Sequence, residues 1–537
     1  MNNKKYFLIT TILFSIFNST SLFSVESKKT FIYCSEGSPS AFNPQVSTDG
    51  TSNNASTHTV YNRLVEFKYG TTILEPSLAS HWKISKDKLT YTFFLRKDVK
   101  FHSTKYFTPT RNFNADDVLF SLNRQLIKTH PYHKIGGGQY QYFYGMEMHK
   151  LIKKVSKKSK YIIEIKLNYV EAPFLANMAM SFMSILSKEY ADTLTMNNKM
   201  EDIDYFPIGT GPFIYKKYIK DTLIRYIKNT YYFKKHAKVD QLVFSITPEP
   251  NVRFLKLKVG ECNLIIDPSP ADIPYMKKEK DIKLIHAPGM NIAYLAMNVE
   301  KAPFNKPLFR KAINMALNRD TLIKAIYHGT AIPALYPLPP TVWGYPKDGV
   351  KQSYNPIDAK KIIDSLNLTE KEKNLELWTL PVSRPYNPNG KKMGELMQED
   401  FRKIGINIKL ISYDWPTYLK KARLGTHQFI QLGWTGDNGD PDNFLAVLLS
   451  CASIDSGSNV ARWCNKDFDN LIIRAKKLTD IKTRQNLYIK AQKIFREELP
   501  WAPIAHSSVY RAMSTNVVGY KIDPLGGDIF SEVDLVK

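Results

Sequence analysis

The 537-residue sequence is poor in cysteine, in long apolar runs and in catalytic signatures. Its four cysteines, Cys34, Cys262, Cys451 and Cys464, form no CxxC pair, and its histidines do not fall at metal-ligand spacing. That argues against the common zinc sites. Past residue 30 no stretch is long and apolar enough to span a bilayer. There is no GxSxG elbow, no HExxH, no GxxxxGK[ST] phosphate loop and no GxGxxG after a strand. The glycine run Gly136, Gly137, Gly138 lacks the Lys and Ser/Thr of a phosphate loop and reads as a turn. Neither an enzymatic activity nor a cofactor is expected. Internal repeats, low-complexity tracts and long flexible linkers are missing as well.

What is present begins with a basic, then apolar N-terminus. Lys4 and Lys5 precede an apolar run from Tyr6 to Phe17, followed by Ser19, Thr20, Ser21, Ser24 and Ser27. This layout predicts a cleaved signal peptide over residues 1–27 and an exported mature protein. The run is broken at Asn18 to Thr20, too early for a comfortable membrane span. No cysteine ends it, which disfavours a lipid anchor. In an oxidising compartment an even number of cysteines points to disulfides. Three pairings are open in principle. Cys451 and Cys464 enclose a stretch with Ser456, Gly457 and Ser458 that can turn back on itself. A local bridge there is worth about 3 kcal/mol in the chain-entropy model, and it leaves Cys34 to join Cys262.

The length implies two or three domains, and 43% hydrophobic with 12% aromatic residues describes a packed globular protein. The formal charge is +25, from 75 basic and 50 acidic residues. Such a field favours anions, but the lysines are scattered rather than gathered on one helix or arm. No nucleic-acid partner is expected of an exported chain with that pattern.

Strand-like and helix-like stretches alternate, which predicts α/β layers. Leu89 to Val99 reads as a strand. Asn114 caps a helix with Asp116 and Asp117 in its first turn. Lys306 to His328 reads as one amphipathic helix closed by Gly329, and Asn355 with Pro356 opens another. From Lys391 a helix, the strand INIKLISYDW, a helix from Pro416 to Leu424 and the strand HQFIQLGW follow in turn.

Two loops stand out. GWTGDNGDPDNF (Gly433 to Phe444) carries Asp437, Asp440 and Asp442 directly after an apolar strand. The Pro and the spacing fail a calcium loop, and a self-bonded turn accounts for Asp440 and Asp442. Trp434 and Asp437 then sit at a strand end, where α/β sheets place ligands. In WTLPVSRPYNPN (Trp378 to Asn389), Arg384 is stiffened by Pro385 and followed by Tyr386. A guanidinium clamps a carboxylate and a carboxylate takes an ammonium, which suits a zwitterionic ligand; on spacing alone, chance placement stays open. A third segment, with His130, His133, His149, Met146 and Met148, has the residue types of a haem contact but reads as a solvated loop.

Longer motifs bear on these readings. LASHWKISKDKLTYTFFLRKDVKFH (from Leu78), FNADDV and PIGTGPF (Pro207 to Phe213) resemble the family 5 bacterial extracellular solute-binding proteins of ABC transporters. YCSEGSPSAFNPQ, YNRLVEFK, SILSKEYAD, LVFSITP and GWTGDNGDPDNF resemble its dipeptide-binding members more narrowly. The likeness runs from about Lys29 to Gly526. It implies an α/β, two-lobed periplasmic-binding-protein fold with three domains: residues 28–60, 211–287 and 508–537 as discontinuous domain I, 61–210 as domain II and 288–507 as domain III. It implies a dipeptide held with its ammonium on Asp437 and its carboxylate on Arg384. Thr48 would bond the ligand from domain I, and Pro385, Tyr386, Trp434, Thr435 and Gly436 would complete the wall. The four cysteines match the family's pairs, Cys34–Cys262 and Cys451–Cys464. A periplasmic monomer serving an inner-membrane ABC permease is the expected setting, with glutathione or haem as alternative ligands on the same scaffold.

Overall fold

The computed structural model describes residues 28–348 and 354–536; the expected signal segment lies outside them. A twelve-stranded mixed sheet runs through the molecule. One half is built on Thr30–Ser35, which pairs in parallel with Gln241–Ile246 and Leu264–Ile266. Leu223–Lys228 and Phe213–Ile219 extend it antiparallel. The other half is built on Asn291–Met297, flanked by Phe429–Thr435 and then by Asn374–Trp378 and Asn407–Ile411. All seven residues of Asn291–Met297 are buried. A strand covered on both faces need not alternate, which is why it reads NIAYLAM.

The halves are joined by the strand Trp501–Ser514. Its first residues pair with Asn291–Met297, and residues 508–514 pair with Ile282–Pro288. The chain therefore crosses between halves twice, near Gly289 and near Ser507. Asn291 braces the two crossings: its Nδ2 donates to Ser507 O (3.0 Å) and its Oδ1 accepts from Ser507 N (2.9 Å). Tyr294 stacks on Trp501 with ring centroids 3.9 Å apart, bracing these two paired strands side by side. A separate four-stranded antiparallel sheet holds Ala79–Ile84, Thr90–Leu95, Ile162–Leu167 and Ile152–Ser159.

Both disulfides take the expected pairs, with Cα atoms 5.9 Å apart for Cys34–Cys262 and 4.6 Å for Cys451–Cys464. The first ties Thr30–Ser35 to the approach of the neighbouring strand Leu264–Ile266. Asn114 caps the helix Ala115–Leu126 in a full capping box with Asp117, and Asn355 caps Pro356–Ser365.

Two expectations need correction. The helix expected over Lys306 to His328 breaks after Pro307–Ala316 and restarts at Arg319–Leu322 before a π turn, Ile323–Tyr327. At the break, the Asn318 N–H donates to Asp400 Oδ2 (2.9 Å) while the Asn318 side chain caps the Thr321 N–H. A tertiary carboxylate thus supplies what the continuing helix would have. The segment from His130 to His149 is solvated only in part: Pro131, Lys134, Gly136, Gly137 and Gln139 are exposed, whereas Tyr132, Tyr140, Tyr142, Phe143, Met146 and Met148 are buried. His133 Nδ1 is bonded to the Arg124 carbonyl at 2.7 Å, so the apolar residues there are core rather than loop.

Candidate functional site

A cavity of about 240 Å³ lies between the sheet halves. Seven of the eight expected ligand residues line it: Thr48, Arg384, Pro385, Tyr386, Trp434, Thr435 and Asp437. Gly436 stands behind the wall. Its N–H donates to Met290 O (2.8 Å), and a Cβ there would come within 2.7 Å of the Phe444 ring and 2.9 Å of Met290 Sδ. Its part is to let the loop pack closely, not to line the cavity.

Arg384 is presented by a tight turn in which Arg384 and Asn387 exchange both backbone hydrogen bonds at 3.0 Å. Its guanidinium lies 5.0 Å from the centre of the Trp415 ring. Nη1 donates to Glu36 Oε1 at 3.0 Å, the two side chains being 9% and 5% exposed. Glu36 also accepts from the Thr51 hydroxyl, while its Oε2 is buried without a hydrogen bond. Burial opposes the Arg384 charge, and Glu36, with Tyr386, Asp49 and Asp267 behind it, outweighs that cost and holds the guanidinium pKa above its usual value. The following residue pair is equally fixed: Pro385 O accepts from Ser507 Oγ (2.6 Å) and Tyr386 O from the Tyr327 hydroxyl (2.6 Å). The Tyr386 ring lies so close over Gly433 that a Cβ there would sit 2.2 Å from it and 2.5 Å from Ile292 O. Only glycine fits beneath that ring.

Asp437 sits just beyond the strand Phe429–Thr435. Its Oδ2 accepts from the Tyr142 hydroxyl (2.8 Å) and its N–H donates to Asn443 Oδ1 (2.9 Å), which also takes the Trp434 indole N–H at 3.0 Å. Among the described residues, no cation lies within salt-bridge distance of this carboxylate. Burial pushes its pKa up to about 7, against the lowering effect of the Tyr142 and Asn443 bonds. Thr48 Oγ1 donates to Gln141 Oε1 at 3.3 Å. Asp440 and Asp442 play a different part: Arg484 Nη2 bonds both Asp440 oxygens at 2.9 and 2.8 Å, and Asp442 is buried near Lys476. These two aspartates hold the loop rather than face the cavity.

Sequence reasoning missed Glu36, Tyr142 and Trp415. Glu36 stands two residues after Cys34 in a motif already singled out, and Tyr142 was placed in the loop read as solvated. Trp415 was assigned to a strand end, whereas it opens the helix Trp415–Arg423. No group of three or more His, Cys, Asp or Glu side chains among the described residues is arranged to hold a metal ion.

Comparison with known proteins places this architecture. The model of the bacterial extracellular solute-binding proteins, family 5, matches residues 74–456. The chain belongs to that family. The dipeptide-binding protein of Escherichia coli (strain K12) is 48% identical over 507 residues, covering 94% of this chain and 95% of its own. Heme-binding protein A of Haemophilus influenzae is 44% identical over 509 residues, covering 95% and 93%. The crystal structure of a dipeptide binding protein from Pseudoalteromonas sp. SM9913 in complex with Met-Leu superposes with a TM-score of 0.91 at 40% identity. It covers 95% of this chain and 100% of that one. The family is one of binding proteins rather than enzymes, and its fold is the mixed α/β architecture described above. No helix among the described residues is long and apolar enough to cross a membrane.

Proposed function

We propose that this family 5 protein is the periplasmic substrate-binding component of an ABC importer. It captures dipeptides between its lobes and delivers them to an inner-membrane permease as a monomer. Asp437 holds the ligand's ammonium and Arg384 its carboxylate, with Thr48, Pro385, Tyr386, Trp434 and Thr435 as the wall. Fixing both charged ends selects ligand length, because an added residue displaces one charge from its partner. The supporting relatives are those named for dipeptides. The observation that carries the reading is Asp437, a buried carboxylate bonded to neutral groups alone. Leaving such a group without a cation costs free energy that a ligand ammonium restores.

The proposed domains are residues 28–60, 211–287 and 508–537, residues 61–210, and residues 288–507; the two halves of the long sheet and the separate four-stranded sheet support that division. Residues 1–27 are the export signal, removed before the protein functions.

Calorimetry with Ala-Ala, N-acetyl-Ala-Ala and Ala-Ala-amide tests the site. Each blocked peptide removes one charge and is expected to lose about 2–5 kcal/mol of binding. Equal affinity for all three would overturn it. Haem is the second reading, favoured by the Haemophilus relative's name, and glutathione the third. Titration with each, in competition with Ala-Ala, separates them from the dipeptide.

A further inference from the structure

The helix Trp415–Arg423 lays one face along the cavity, contributing Trp415, Leu419, Ala422 and Arg423 to its lining. Its two ends present different chemistry. Trp415 lies under the Arg384 guanidinium. Arg423, eight residues on, stands about 12 Å further along the axis at 1.5 Å per residue.

Arg423 differs from the other arginines around the cavity. Arg384 is paired with Glu36, and Arg511 is held between Asp267 and Asp528. No hydrogen bond or ion pair holds the guanidinium of Arg423 among the described residues. Burial lowers its pKa, and Asp49 is the one carboxylate whose charge acts on it in return. Asp49 is itself committed as the cap of the helix Gly50–Ser56, accepting from Ser52 N (2.9 Å) and from Ser40 Oγ (3.2 Å). The stem of Arg423 is packed under the disulfide loop: a Cβ on Gly457 would lie 2.9 Å from Arg423 Cβ and 3.1 Å from Cγ. A fixed stem on the cavity wall and a guanidinium that no protein group bonds among the described residues make a donor fork awaiting an acceptor. A guanidinium meets a planar carboxylate with two parallel bonds better than it meets any neutral group.

We propose that Arg423 is a specificity-determining residue that binds a second carboxylate carried by the ligand, giving the pocket a preference for dipeptides with an acidic side chain. The inference rests on the dipeptide reading above and deepens it. Arg384 and Asp437 fix the two termini of every dipeptide, and Arg423 adds a contact that only Asp- or Glu-containing ligands make.

The test is calorimetry with isosteric pairs, Glu-Ala against Gln-Ala and Ala-Glu against Ala-Gln, with Ala-Ala as the reference ligand. For the wild-type protein, one pair is expected to show the acidic peptide binding at least tenfold tighter. In Arg423→Met that ratio is expected to fall to near one, and in Arg423→Lys to survive in part, since the charge remains but not the fork. Parity within both pairs in the wild-type protein, with Ala-Ala still bound, overturns the inference and leaves the dipeptide reading standing. A ratio that persists in Arg423→Met also overturns it. Failure of every peptide, Ala-Ala included, sinks the dipeptide reading itself. Because the wild-type comparison needs no variant, the outcome does not depend on how well the variants fold.

Discussion

At the scale of single residues, the site turns on a carboxylate held away from its ordinary ionisation. Asp437 has a pKa of about 7 through burial; with a ligand ammonium beside it, the ionised form is favoured. The free site therefore holds a proton below pH 7 that the complex must release. Affinity for Ala-Ala is expected to be greatest near pH 7.5, to fall by up to tenfold per pH unit below 7 as Asp437 takes up its proton, and to fall again above about pH 8 as the ligand's α-amino group loses its charge. The ligand's own ammonium stays charged below pH 7, so the acid-side fall belongs to Asp437 alone. Calorimetry at pH 6 in buffers of different ionisation enthalpy should register proton release. Asp437→Asn should bind about 2–5 kcal/mol more weakly at pH 7.5 and lose the pH dependence; a variant that kept the acid-side fall would assign it to another group. Arg384 and Asp437 were legible as chemistry because each sits in a stiff loop beside an aromatic residue. Their partners were not. Glu36 lies 348 residues from Arg384 and Tyr142 lies 295 from Asp437, and no local pattern records a contact made across two lobes.

At the scale of elements, local rules succeeded where local bonds decide. The cap at Asn114 and the proline start at Pro356 use only neighbours in sequence, and both helices begin where those signals place them. The break at Leu317 and Asn318 depends on Asp400, 82 residues away from Asn318, so periodicity alone ran the helix through it. The Cys451–Cys464 loop combines both kinds of information. The bridge closes a short loop, and Gly457, Ser458 and Val460 within it line the cavity. The double variant Cys451→Ser, Cys464→Ser is expected to lose about 3 kcal/mol of stability, read as a lower melting temperature. It should also weaken Ala-Ala binding several-fold, because the loop that backs the helix Trp415–Arg423 is loosened. Unchanged affinity alongside the lost stability would mean that the loop's order is not felt in the pocket.

At the scale of the whole molecule, binding must be converted into a shape that a permease can distinguish. Contacts spanning the cavity come from both lobes: Glu36 with Arg384, Tyr142 with Asp437, and Asn438 Nδ2 donating to Asn177 Oδ1 at 2.8 Å. A ligand lodged among them adds contacts that exist only when the lobes are together, so it favours that arrangement by its differential affinity. The lobes can part only about the two crossings, where Asn291 and Ser507 hold each other through two hydrogen bonds of 2.9 and 3.0 Å. Asn291→Ala leaves the buried Ser507 N–H without the acceptor it bonds at 2.9 Å, which should cost about 1–3 kcal/mol of stability. Asn291 is not part of the cavity lining, so its loss should act on the hinge and leave the ligand contacts in place. Small-angle scattering should show the wild-type radius of gyration falling on addition of Ala-Ala. The variant should have a larger radius without ligand and reach the wild-type value at saturation, with weaker apparent affinity, because ligand energy must first draw the lobes together. A variant that matched the wild type without ligand would place the hinge elsewhere than at Asn291 and Ser507.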